Sequence, residues 1–140
     1  MSKRILVPVD GSEQSDTALE YALEEFGDAE LTVFHVIDPT GYSGPVGIPG
    51  TSEEWYESAR EESEQLFEQA QSSADAYGVT LHTATETGRP STAIVEYADE
   101  HGFDQIVMGS HGRSGVSRIL LGSVAETVVR RATVPVTVVR

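Results

Sequence analysis

The chain has 140 residues, of which 23 are acidic and nine are basic, and its formal net charge is −14. It contains no cysteine, which excludes a disulfide scaffold, thiolate catalysis and zinc–sulfur sites. The acidic surface repels nucleic acid phosphates and anionic lipids, and no apolar run is long enough to cross a membrane, so we expect neither nucleic acid nor a membrane as a partner.

The N-terminal part of the chain alternates between strand and helix patterns. Residues 4–9 (RILVPV) form an almost wholly apolar run, which is typical of a strand covered on both faces. Ser12 predicts a helix N-cap, and apolar residues at helical spacing follow as far as Phe26. Residues 31–37 (LTVFHVI) predict the second strand. Residues 38–50 hold four glycines and three prolines, which predicts a long loop without a regular element.

The remaining elements continue the alternation. A capping-box pattern at residues 51–54 (TSEE) predicts the start of a long helix that ends near residue 77. Its predicted inner residues are Trp55, Ala59, Leu66, Ala70 and Tyr77. The patterns then predict a half-buried strand near a sheet edge at 79–87, a helix after Pro90 that ends at Gly102, a strand at 103–108, a helix from Val124 and a final strand at 135–139. The last helix should bury Val124, Ala125, Val128, Val129 and Ala132.

The alternation of strands and helices predicts an α/β fold. We expect a single domain, residues 1–140, with an open parallel five-stranded sheet and helices on both faces, as in Rossmann-like proteins. Ligands of such sheets bind in a crevice at the carboxyl ends of the strands. Asp10, Ile37, Asp38 and Gly109 lie at such ends. The periodicity does not give the strand order.

A glycine-rich stretch, residues 109–123 (GSHGRSGVSRILLGS), follows the fourth predicted strand and precedes a helix. Four glycines in fifteen residues are costly to order unless something must approach the backbone closely, and a phosphate held by main-chain N–H groups is the usual reason. The stretch has no Walker A lysine. Residues 10–15 (DGSEQS) lack both the dinucleotide-binding pattern and the serine-glycine loop of adenylating enzymes. Any triphosphate would meet backbone N–H groups, hydroxyls and the nearby Arg113 and Arg118.

Several motifs in order make the chain resemble the ATP-binding subgroup of the universal stress protein family. They are KRILVPVDGS at 3–12, HVID at 35–38, TGRPSTAIVEYA at 87–98, IVMGSHGRSG at 106–115 and LLGSVAETVVRRATVPVTVVR at 120–140. The spacing Gly-x-x-Gly, nine residues, Gly-Ser is intact. The resemblance implies strand order 3-2-1-4-5, ATP as the ligand and a homodimer that pairs the last strands.

The resemblance also implies the residues of a nucleotide site. The nucleoside would lie against Pro8, Asp10, Val36 and Met108. The phosphates would lie against Gly109, Gly112, Arg113, Gly122, Ser123 and Val124. A carboxylate at Asp10 suits sugar hydroxyls because a ligand without them leaves it unpaired. Any divalent ion, Mg²⁺ or Mn²⁺, would come bound to the triphosphate.

Two polar residues of the stretch keep alternative interpretations. Ser123 and Glu126 fit a capping box, in which the Ser123 hydroxyl would serve the helix and not a phosphate. His111 is the only histidine beside the predicted phosphate site. It would either sense pH or polarise a phosphate there, or have no role in binding. We expect His35 and His82, which lie inside strands, to be packed. No catalytic triad or metal-ligand spacing is readable.

The leading hypothesis is a dimeric, cytoplasmic, ATP-binding regulatory or protective module of the stress response. The dimer would form through the final strand, from Pro135 to Val139, because an apolar edge strand invites pairing with another chain. A slow ATP hydrolase, and an interaction module that binds AMP or no nucleotide, remain as alternatives. The acidic composition and the single lysine, Lys3, further indicate a salt-adapted (halophilic) protein.

Overall fold

The computed structural model describes residues 2–41, 53–111 and 121–140. Within these ranges five strands alternate with four helices. The strands are β1 (Arg4–Pro8), β2 (Glu30–Ile37), β3 (His82–Thr87), β4 (Gln105–Gly109) and β5 (Val136–Val139). The helices are α1 (Glu13–Glu25), α2 (Glu53–Asp75), α3 (Pro90–Glu100) and α4 (Ser123–Arg131).

All five strands run parallel in one sheet of order β3-β2-β1-β4-β5, which confirms the predicted fold and strand order. The central strand β1 pairs with β2 in the register Val7 to Val33 and with β4 in the register Ile5 to Gln105. Successive strands are added from β1 towards one edge and from β4 towards the other, so the strand order reverses between β1 and β4. A crevice is expected at this reversal.

Two apolar cores lie on opposite faces of the sheet because successive side chains of a strand point to opposite sides. Ile5 and Val7 of β1 pack with α1 and α2 on one face, whereas Leu6 packs with α3 and α4 on the other. All three side chains are fully buried. None of the helices in the described parts of the chain combines the length and apolar character needed to cross a bilayer.

The first helix begins as predicted, whereas the segment after β2 differs from the prediction. Ser12 is the N-cap of α1, and its hydroxyl accepts a hydrogen bond from the Ser15 N–H at 3.1 Å. Pro39–Gly41 form one turn of 3-10 helix where we expected no regular element. Asp38 stabilises this turn because its Oδ1 accepts from both the N–H and the hydroxyl of Thr40. Residues 42–52, including the predicted capping box at Thr51, lie outside the described residues.

Two side chains expected on inner faces are exposed. Tyr77 lies beyond the end of α2, so helical spacing no longer sets its direction. Its hydroxyl instead donates to Glu20 and Glu24 of α1, and these bonds, above all the one to Glu20, raise the pKa of Tyr77 to about 12. Val129 is 46% exposed because α4 rests on the sheet along the narrow stripe of Ala125 and Val128.

The two strand histidines differ from each other. His35 is buried as predicted, and its Nδ1 lies 2.6 Å from the hydroxyl of Ser63, a buried serine on α2 that the apolar pattern did not identify. His82 is exposed, contrary to the prediction, because β3 is an edge strand with little cover on either face. It lies 3.4 Å from a carboxylate oxygen of Glu30.

Candidate functional site

A cavity of about 480 Å³ opens at the carboxyl ends of β1 and β4, where the strand order reverses. Eight of the ten residues predicted to bind a nucleotide line it. From the strands and the turn after β1 come Pro8, Asp10, Val36, Met108 and Gly109. From the start of α4 come Gly122, Ser123 and Val124. The other two, Gly112 and Arg113, lie outside the described residues, as does Arg118.

One part of the cavity is apolar. Phe34 and Val36 of β2, Ile94 of α3 and Met108 of β4 line it. Phe34 is fully buried and its ring stacks on Tyr97, with centroids 4.5 Å apart and an angle of 24° between the planes. Rigid apolar walls of this kind suit a flat ring of a ligand. The sequence indicated Val36 and Met108 only through the family resemblance, and Phe34 and Ile94 were not identified.

Polar groups of the turn after β1 border the cavity near Asp10. The Ser12 N–H donates to Asp10 Oδ1 at 2.9 Å, and the Asp10 N–H donates to the Ser15 hydroxyl at 3.3 Å. The turn therefore fixes the direction of the Asp10 carboxylate. A second carboxylate, Asp38, also lines the cavity. The sequence placed Asp38 at the carboxyl edge without assigning it a role. Across the described ranges, no three His, Asp or Glu side chains are arranged to hold a metal ion.

The acidic first turn of α1 leads to a prediction about pH. Burial, then the charges of Asp10 and Glu13, raise the pKa of the Asp16 carboxyl above its ordinary value of 3.8. Folding therefore disfavours the charged form, and stability should fall as the pH rises from about that ordinary value through the raised pKa. Asp16→Asn should make the protein slightly more stable than wild type at pH 7, with the gain vanishing towards pH 4.

Urea unfolding between pH 4 and pH 7.5 would measure this effect. Asp28→Asn, which removes the same charge from an exposed position in the turn after α1, is the control for the change in net charge. A pH-independent difference between Asp16→Asn and wild type would contradict the prediction.

Helix α4 begins at the cavity, and its N-cap residue, Gly122, has no side chain to cap the helix. The extended backbone of Gly122, with φ −66° and ψ 160°, makes it the N-cap, so the alternative interpretation in which Ser123 caps the helix is wrong. The shift by one residue places Glu126 too far along for a capping box. Glu126 forms an ion pair with Arg130 instead, at 2.9 Å. The first N–H groups of a helix have no partner within the helix, and here they belong to residues that line the cavity.

The two described glycines of the site have structural roles. The Gly122 N–H donates to the Ser110 carbonyl at 2.7 Å, which joins the start of α4 to the end of β4. This N–H is therefore not free for a ligand. A Cβ on Gly109 would lie 2.8 Å from backbone atoms of Gln14, so only glycine lets the first turn of α1 approach β4 this closely.

Ser110 and His111 follow β4 directly, and both are buried in the cavity wall. The Ser110 N–H donates to the Val139 carbonyl at 2.9 Å, and its hydroxyl lies 3.0 Å from His111 Nδ1. His111 Nε2 is shielded from solvent and has no hydrogen-bond partner among the described residues. Ser110 was not identified as a site residue from the sequence, although its position directly after a strand was a usable signal.

Comparison with known proteins agrees with the fold. The sequence model of the Universal stress protein family matches residues 1–140. The chain belongs to the universal stress protein family. Universal stress protein MJ0531 of Methanocaldococcus jannaschii is 40% identical over 143 residues, which cover 99% of this chain and 82% of that protein.

Solved structures of universal stress proteins share the fold. The structure of protein MJ0577 of M. jannaschii has a TM-score of 0.83 and 33% identity, over 99% of this chain and 96% of that one. A universal stress protein solved in complex with cAMP has a TM-score of 0.72 and 28% identity, over 99% and 97% of the two chains. The Archaeoglobus fulgidus protein solved with dAMP has a TM-score of 0.68 and 25% identity, over 100% and 98%.

Proposed function

We propose that this universal stress protein binds ATP in the cavity between β1 and β4 and acts as a nucleotide-responsive regulatory or protective module. The observation that carries the proposal is the combination of an apolar part and a helix N-terminus with a glycine N-cap in one cavity of about 480 Å³. An adenine ring suits the first and a phosphate suits the second. Relatives solved with cAMP and with dAMP support an adenine nucleotide as the ligand.

Each part of the nucleotide would meet matching chemistry. The base would lie against Val36 and Met108, with Pro8 beside it, and the Asp10 carboxylate would accept hydrogen bonds from the ribose hydroxyls. The phosphates would accept hydrogen bonds from the Ser123 and Val124 N–H groups and from the Ser123 hydroxyl. By the family resemblance, Gly112 and Arg113 would contact the outer phosphates. Mg²⁺ or Mn²⁺ would arrive on the triphosphate.

Binding without rapid turnover is the simpler proposal. The only lysine of the chain, Lys3, precedes β1 and lies at the opposite end of the sheet from the cavity. The described carboxylates of the cavity are Asp10 and Asp38, which follow β1 and β2. Both lie on the proposed nucleoside side, and not beside the phosphates, where a general base for hydrolysis would be needed. If the nucleotide is bound but not hydrolysed, the fraction of protein that carries it would depend on the nucleotide concentration. This dependence suits a regulatory role in the cytoplasm during stress.

A denaturing extraction of the purified protein, followed by chromatography of the released nucleotides, tests the proposal. We expect ATP at close to one molecule per chain. Recovery of ADP or AMP would favour the hydrolase or AMP-binding alternatives. If the extract is empty, titration with ATP and magnesium in high salt should reveal binding, and a lack of binding at millimolar ATP would contradict the proposal.

Two properties of the surface extend the proposal. Strand β5 lies at an edge of the sheet with all its residues only partly buried, so it can pair with a second copy to form a homodimer. Sedimentation equilibrium would test for the homodimer.

The net charge of −14 is proposed to be an adaptation to salt. The free energy of unfolding should then fall as the salt concentration is lowered from molar to dilute.

A further inference from the structure

Among the described residues, His111 has a buried side-chain nitrogen that lacks a hydrogen-bond partner. Its side chain is buried, with a relative exposure of 8%, and it forms part of the cavity wall. Nε2 has no hydrogen-bond partner in the described part of the chain. Buried polar atoms are nearly always paired, and leaving one unpaired is costly in a site that water does not reach. If the side chain served only for packing, an apolar residue would avoid the cost of this unpaired nitrogen.

The ring is fixed from its other side. The Ser110 hydroxyl lies 3.0 Å from Nδ1, and the Ser110 backbone is itself held at both ends, by the Val139 carbonyl and by the Gly122 N–H. A neutral imidazole has one donor and one acceptor. When the serine hydroxyl donates to Nδ1, the ring proton therefore lies on Nε2, which becomes a donor without an acceptor.

The position of His111 indicates what the acceptor is. The Ser110 carbonyl accepts a hydrogen bond from the Gly122 N–H, and Gly122 is the N-cap directly before the first turn of α4. His111 thus borders the same end of the cavity as the first N–H groups of this turn, for which the described residues provide no partner. All of these groups are donors when Ser110 donates to Nδ1. An anion with several acceptor oxygens, such as a phosphate, satisfies them together.

We propose that His111 is a ligand-binding residue whose Nε2 donates a hydrogen bond to a phosphate oxygen of the bound nucleotide, with Ser110 as the residue that positions the ring. This inference rests on the proposed function and adds a side-chain donor to a phosphate site otherwise made largely of backbone groups. Because Nε2 is shielded before the ligand binds, the ring or the neighbouring backbone must shift slightly when the phosphate enters.

Two amide substitutions separate the ring nitrogens. Asn reaches the position of Nδ1 and keeps a partner for Ser110, whereas Gln reaches the position of Nε2. Calorimetric titration of wild type, His111→Asn and His111→Gln with adenosine, AMP and ATP is the test. We expect His111→Asn to weaken AMP and ATP binding about tenfold and to leave adenosine binding unchanged. His111→Gln should stay within about threefold of wild type for all three ligands.

The outcomes distinguish the two proposals. If wild type binds none of the three ligands, the proposed function fails and this inference fails with it. If wild type binds AMP and His111→Asn binds it equally well, or loses adenosine to the same degree, only the inference about His111 is overturned. Should a variant not fold, nitrogen-15 NMR of the histidine rings in wild type decides. The His111 Nε2 signal should shift with AMP and not with adenosine, and an unchanged signal overturns the inference.

Discussion

Replacing Ser123 by proline is expected to weaken ATP binding by about ten- to a hundredfold while leaving the protein folded. Ser123 is the first residue of α4, and proline is well tolerated at that position because its missing N–H would have no partner in the helix. The preceding residue, Gly122, already has the extended backbone that a following proline requires. The substitution therefore removes one proposed phosphate donor and the hydroxyl, and little else.

Ser123→Ala is the matched control because it removes the hydroxyl and keeps the N–H. Calorimetric titration with ATP should place Ser123→Ala between wild type and Ser123→Pro, and circular dichroism should give all three the same helix content. Equal affinities for the two variants would mean that the backbone N–H does not contact the ligand. If both variants bind like wild type, the N-terminus of α4 is not the phosphate site.

Replacing Gly109 by alanine is expected to lower the free energy of unfolding by about 1–3 kcal/mol. The added Cβ would lie 2.8 Å from the backbone carbon and oxygen of Gln14 and 2.9 Å from its Cβ. Backbone atoms cannot turn aside as the end of a long side chain can, so α1 has to move away from β4. Because the first turn of α1 also holds the Asp10 turn in place, ATP affinity should fall together with stability.

Gly78→Ala is an instructive comparison for urea unfolding and ATP titration. Gly78 has a φ of +68° and open space around it, so alanine there is strained but meets no neighbour. It should cost about 1 kcal/mol and leave ATP affinity unchanged, because it lies after α2 and away from the cavity. If Gly109→Ala unfolds at the same urea concentration as wild type, the close approach of α1 and β4 is not a constraint.

The buried strands were the most predictable part of the fold, because continuous apolar runs flanked by turn residues identify them without further context. The strand order came from the family resemblance, since alternation alone fits several orders. The errors arose where tertiary contacts override the local pattern. Tyr77 leaves the helical period when α2 ends and pairs with two glutamates, and Val129 lies just outside the narrow stripe that α4 buries.

The candidate site was less predictable than the fold for a physical reason. Motif spacing predicted which residues meet, but not which of their atoms remain free. The residues at Ser123 and Glu126 match a capping box, yet the extended residue is Gly122, so the Ser123 hydroxyl is not in the N-cap position. Motif spacing also does not reveal that the Gly122 N–H bonds to the Ser110 carbonyl, or that Gly109 lacks a Cβ because it packs against the backbone of Gln14. The unpaired nitrogen of His111 is likewise a property of the packed cavity wall.

The pairing of β1 with β4 also bears on how the chain folds. It joins Ile5 to Gln105, a hundred positions further along the sequence, and every other pairing in this sheet is parallel and needs a crossover as well. Folds dominated by such distant contacts form slowly. During synthesis, β1 leaves the ribosome with one side unpaired until β4 has been made. Because the cavity is lined by residues of β1, β4 and the start of α4, the proposed nucleotide would bind only a nearly complete chain and would then stabilise the β1–β4 pairing by mass action.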